Sequence, residues 1–168
     1  MDTDASEVVC IGTAWVEGRV SMGRSSEPPA PGTDLQFARR GLDGSLLTDL
    51  HTILTGITYM EIAVAVRAGQ DVDRGVRRIG GAQLGPYHVA HFYECSIPLR
   101  RRMAALTAER IKDIAQNWYA LQGHPNAGLR SARTEYRCEV IENLAALARV
   151  ADDRDSRVLL RTEYRSPT

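Results

Sequence analysis

The feature that most constrains this chain is the run from Leu46 to Val66, its longest stretch of apolar residues at helical spacing. At 100° per residue, Leu46, Leu50, Ile53, Ile57, Met60 and Val64 fall on one stripe with Leu47 and Leu54 on its shoulder, which predicts a single long helix. Thr48, Thr52, Thr55 and Tyr59 occupy the other side at first. Ile62, Ala63, Ala65 and Val66 then make the last turns apolar almost all round. Such a rod has to be covered by its neighbours, so it is expected at the centre of the fold. Asp49, His51 and Glu61 interrupt it, which argues against a membrane span despite its length.

The flanking segments read as follows. Glu7 to Ser21 alternates Ala14 and Val16 against Trp15 and Glu17, the pattern of a strand, with Gly12-Thr13 as a bulge or turn. Met22 to Gly44, rich in proline, glycine and serine, reads as a loop or arm. Ser45 is placed to cap the long helix and Gly69 to stop it. Asp71 to Ile79 is expected as a short helix ended by Gly80-Gly81. Pro86 to Pro98 is expected as another, with a strand as the second choice. Thr107 caps a helix whose inward stripe is Ile111, Ile114, Ala115, Trp118 and Leu121, with Gly123 as its stop. A loop spans His124 to Arg130. Ser131 to Ala151 is a further helix, and Arg157 to Arg165 a terminal strand. The string Arg-Thr-Glu-Tyr-Arg occurs at 133–137 and again at 161–165, in surroundings different enough for one copy to be helical and the other extended.

The 168 residues suit a single domain, spanning 1–168, able to bury roughly two-thirds of its unfolded surface without metal or disulfide staples. Twenty-one basic residues balance 21 acidic ones, against the basic excess of a dedicated nucleic-acid or membrane-surface protein. Lys112 is the only lysine, and this arginine bias, with abundant alanine and glycine, suggests a GC-rich bacterial genome. The acidic start, Met1 to Glu7, lacks the order of a secretion signal, so a cytoplasmic setting is expected. Cys10, Cys95 and Cys138 are odd in number and scattered, which reads as buried free thiols.

Several groups of residues have chemistry to offer, each with a plainer structural reading beside it. His88, His91 and Cys95 would share one face of a helix as candidate metal ligands, needing a fourth donor from elsewhere, for which Glu94, Cys138 and His124 are the obvious choices. Cys95 beside a histidine is also a candidate thiolate nucleophile, against the alternative of a buried thiol. Glu61, held in an apolar stripe, is a candidate catalytic acid with a raised pKa unless Arg67, Arg100, Arg101 or Arg102 pairs with it. Arg100, Arg101 and Arg102, with Arg77, Arg78 and Tyr87, form the candidate binding patch for nucleic acid or another partner. No phosphate loop, G-x-S-x-G elbow or paired C-x-x-C is present.

The sequence therefore predicts a mainly helical α+β fold: four to five helices around a central hydrophobic helix, with short N- and C-terminal strands pairing at one edge. The expected function is non-enzymatic, a bacterial interaction or regulatory module such as an immunity or accessory protein of a defence system. Its partner is expected to be another protein or a second copy, with no cofactor. The alternatives are a small metal- or thiol-dependent enzyme using His88, His91, Cys95 or Glu61, and an arginine-patch nucleic-acid binder.

Overall fold

The computed structural model of the chain describes residues 8–17, 36–122 and 133–166. Its elements run β1 (Val9–Val16), β2 (Gln36–Arg40), α1 (Gly44–Thr55), α2 (Tyr59–Arg67), β3 (Val76–Gly85), β4 (His88–Cys95), α3 (Ile97–Ala104), α4 (Ala108–Leu121), α5 (Thr134–Asp153) and β5 (Val158–Arg165). The five strands form one antiparallel sheet in the order β2-β1-β5-β4-β3. Strand alternation assigns the faces: Ala14, Val16, Val158, Leu160 and Cys95 join the helices in a shared core, while Trp15 and Leu159, cross-strand partners, are buried on the opposite face.

This corrects the expected architecture in its frame. The terminal strands do pair, from Val9 opposite Arg165 to Val16 opposite Val158, but each is eight residues long and they lie in the middle of the sheet. No helix forms over 71–79 or 86–95: Val76–Gly85 and His88–Cys95 are the hairpin β3–β4, turned at Pro86-Tyr87, which is the second choice, a strand, for the latter segment, and Ile97 and Pro98 open α3. Gly80 and Gly81 lie inside β3 beside a register shift, where small residues suit a bulge, and do not end a helix. The strand β4 carries large side chains on both faces, Phe92 on one and Tyr93 on the other, so its period of two is masked and imitates helical spacing. Within the segment expected to be a loop, 36–40 is strand β2 and Gly44 opens α1; the rest of that segment, 22–35, lies outside the described residues, as do Gly123 and the loop at 124–130.

The long helix at 46–66 is two helices. Gly56 takes the left-handed conformation, φ 72°, and its N–H closes α1 on the Thr52 carbonyl. Thr58 then starts α2 with a capping box: its side chain accepts from the Glu61 N–H, and Glu61 accepts from the Thr58 N–H at 2.7 Å. Asp43, not Ser45, caps α1. Leu47, Leu50 and Ile53 are buried in the core, whereas α2 buries only Ile62. The central helix is α5, which packs on α3 and α4 and buries Val140, Ile141, Leu144, Ala145, Leu147, Ala148 and Ala151. Helix α4 starts at Thr107 and buries Ile111, Ile114, Ala115 and Trp118, although Leu121 is exposed.

Two contacts tie the helical layer to the sheet. The chain entering α1 crosses β1 at Gly12, where a Cβ would stand 1.9 Å from the Leu42 carbonyl oxygen, so only glycine fits. At the other end, buried Arg100 of α3 donates to the Ser156 carbonyl and pairs with Asp152 at 3.1 Å and Asp155 at 3.5 Å. That clamp holds the turn from α5 into β5, in which Asp155 has a φ of 47°.

Candidate functional site

On the helix side of the sheet, between the end of β2 and the facing ends of α1, α4 and α5, lies a cleft of about 980 Å³. Its walls include Cys10, Asp43, Tyr136, Trp118, Tyr119 and Arg137. The start of helix α5 brings Arg133, Glu135, Tyr136, Arg137 and Glu139 to its wall, within or next to the first turn. Among the described residues no side chain caps that helix end. Arg137 is buried, with its guanidinium 4.6 Å from the Tyr119 ring centre, 5.8 Å from that of Trp118, and 2.7 Å from the Tyr119 hydroxyl. Tyr136 donates to the Arg40 carbonyl at 2.8 Å, and Arg39 pairs with Glu139.

Asp43 links this cleft to a group of phenols on the sheet. Burial first, and the Asp43 charge second, push the Cys10 thiol and the Tyr136 and Tyr164 hydroxyls above their ordinary pKa values. Burial raises Tyr93 as well, with Arg78 opposing it. His91 lies among them, its ring 5.4 Å from that of Tyr164 and its Nδ1 3.4 Å from the Tyr93 hydroxyl, and burial with the Arg78 charge holds it below its usual value. At neutral pH this group is protonated phenol and thiol around one carboxylate, a set of hydrogen-bonding groups without an activated nucleophile.

The residues singled out in the sequence are dispersed. On a strand, His88 and His91 point to opposite faces: His88 reaches Glu163 at 2.7 Å on the face that also buries Trp15 and Leu159, while His91 meets the tyrosines. Cys95 is buried, and burial followed by the Glu94 charge pushes its thiol up to about 12, far from a thiolate. Among the described residues no group of three or more histidine, cysteine or acidic side chains could hold a metal ion. Glu61 is exposed and not inside an apolar stripe. The Thr58 N–H and then the Thr58 hydroxyl lower its pKa, so its partner is a helix cap and not one of the arginines.

The arginine patch is divided as well. Arg100 is buried in its clamp, Arg101 is exposed 3.9 Å from Asp152, and Arg102 is exposed. Neighbours on β3, Arg77 and Arg78 face opposite sides of the sheet, Arg77 paired with Glu94 at 2.7 Å. Tyr87 is exposed at the hairpin tip.

Sequence reasoning missed Arg137 and its aromatic platform. The available signal was the segment Arg133 to Arg137, whose two arginines open a helix; the second copy, Arg161 to Arg165, lies in β5. The fold is α+β, an antiparallel sheet with α1, α3, α4 and α5 sharing a core on one face. No protein-family model, curated protein or solved structure matches the chain. No helix among the described residues is long and apolar enough to cross a membrane.

Proposed function

We propose that the protein is a non-catalytic protein–protein interaction module that engages its partner, another protein or a second copy, through α2. The observation that carries this reading is the inverted amphipathicity of that helix. Ile62 is its one buried residue, while Tyr59, Met60 and Val64 are 55%, 72% and 58% exposed. With exposed Ala63 they form one stripe at i, i+1, i+4 and i+5. A helix of a self-sufficient fold turns such a stripe inward, and a contiguous exposed apolar patch marks an interaction surface. The outer strand β3 adds support: it is ten residues long, has no neighbour on its far edge among the described residues, and exposes Ile79 and Leu84. Buried Cys95 and the separated histidines favour this reading over a thiol or metal enzyme. Three unbridged cysteines support a cytoplasmic setting.

The test is the double variant Met60→Glu/Val64→Glu, compared with the wild type by size exclusion with light scattering and by affinity capture from the native host. The wild type is expected to run as an oligomer or to retain a defined partner. The variant should lose that association with its circular dichroism and melting curve unchanged. A wild-type monomer that captures nothing, or a variant that associates as the wild type does, overturns the proposal.

A further inference from the structure

The geometry points to the Arg137 cleft as a binding site for an oxyanion, a carboxylate or phosphate group carried by a small organic molecule. Arg137 is 6% exposed, so its guanidinium has given up most of its water. Its described contacts are the faces of Trp118 and Tyr119 and the Tyr119 hydroxyl, none of which carries negative charge. The other buried arginine, Arg100, has two aspartates and a carbonyl. A buried charge with no counter-ion among the described residues is expensive, and the ring contacts offset only part of it. The arrangement makes sense when a ligand supplies the anion.

Three further observations fit an anion. The ring contacts and the Tyr119 hydroxyl hold the guanidinium at the cleft wall, and its Nε–H and Nη1 groups have no hydrogen bond among the described contacts, donors of the kind that suit a carboxylate or phosphate. The first turn of α5 lines the same cleft and has no side-chain cap among the described residues, which leaves backbone N–H groups and the positive end of the helix dipole there. The wall holds four acids, Asp43, Asp49, Glu135 and Glu139; Glu139 is paired with Arg39, Asp43 accepts from the Leu46 N–H, and among the described ion pairs none joins any of the four to Arg137. Trp118, Tyr119 and Tyr136 give the rest of the ligand flat, half-apolar walls. The site does not depend on α2 or on any partner protein.

The two tryptophans report on it separately, because Trp118 stacks on Arg137 while Trp15 is buried on the opposite face of the sheet. Inorganic phosphate and benzoate are titrated in parallel into the 15N-labelled protein, with sodium chloride at matched ionic strength as control. The Trp118 indole resonance is expected to shift saturably with at least one of them while Trp15 stays still. Saturation with phosphate alone assigns a phosphoryl ligand, and with benzoate alone a carboxylate. The variant Arg137→Met should weaken binding by about tenfold to a hundredfold. A Trp118 resonance that does not move, or that drifts without saturation in all three salts, overturns the proposal on wild-type protein alone, whether or not the variant folds. So does unchanged affinity in a folded Arg137→Met.

Discussion

Replacing Arg100 with methionine separates a structural arginine from a binding one. Its guanidinium donates to the Ser156 carbonyl, a bond from a charged donor that contributes about 1.5–3 kcal/mol when buried. The two aspartates matter less. Asp155 is 93% exposed and Asp152 39%, so both regain water when the arginine leaves, and each pair adds only ~0–1 kcal/mol. Methionine keeps most of the aliphatic volume, which limits the cavity. The expected loss is therefore about 2–3 kcal/mol, most of it from the orphaned carbonyl. In a chain of this size that lowers the melting temperature by roughly 4–12 °C.

Urea denaturation followed by circular dichroism measures the difference directly. The neighbouring substitution Arg102→Met, at an exposed position, serves as the control and should stay within about 0.5 kcal/mol of the wild type. Because the carbonyl bond is buried and the aspartate pairs are not, the Arg100→Met deficit should shrink only slightly in 1 M salt, where surface pairs are screened within ~3 Å. A deficit under about 1 kcal/mol, or one abolished by salt, would refute the clamp. If Arg100 belonged to a nucleic-acid patch with Arg101 and Arg102, the melt would barely change and affinity would fall instead.

Three other perturbations have defined outcomes. Gly12→Ala should destabilise the fold at or above the top of the ~1–3 kcal/mol range for overpacking, because the new methyl meets the Leu42 backbone, which cannot swing aside; a melt within 2 °C of the wild type would show that the α1 entry does not cross β1 there. Cys95 should resist alkylation at pH 8 in the native state and react only on unfolding, and mass spectrometry showing rapid native labelling of Cys95 would restore it as a nucleophile. Burial raises the Glu94 carboxyl, but its bonds to Arg77 and Arg157 outweigh burial and hold it below its ordinary value. Its contribution is then fully present above the unfolded carboxylate pKa, about 4.3, and is lost as pH falls through the lower folded value. Glu94→Gln should accordingly lose stability at pH 7 and show a flatter decline below pH 4.5, whereas an unchanged acid limb in a fluorescence-monitored titration would contradict the pairing.

What could be read in the sequence was decided by how local each signal is. Thr107 and the stripe from Ile111 to Trp118 specify α4 within fourteen residues, and α5 is equally local. The β1 and β5 strands announce themselves by alternation, yet their place at the sheet centre depends on a pairing across about 150 residues that no spacing encodes. Hairpin β3–β4 fails for another reason. Its edge strand is exposed almost throughout and its inner strand is large on both faces, so neither shows the half-buried rhythm that period analysis detects.

The break at Gly56 and the site at Arg137 carry one lesson about reading charge. Within 46–66 the apolar stripe continues past residue 56, but Gly56 and the Thr58-x-x-Glu61 box are a stop and a start in adjacent turns, and capping chemistry prevailed over continuity because α2 has almost no core to pack against. Glu61 looked anomalous only because it was placed on a longer helix than the one that forms. Arg137 was the reverse: ordinary in sequence, two residues from a glutamate at the start of a good helix, and exceptional only once α4 laid Trp118 and Tyr119 against it. The energetic oddity of a charge is a property of what folds over it, so the acid that broke a pattern proved to be a solvated cap while the arginine with nothing unusual around it in sequence is desolvated and, among the described residues, has no acidic partner.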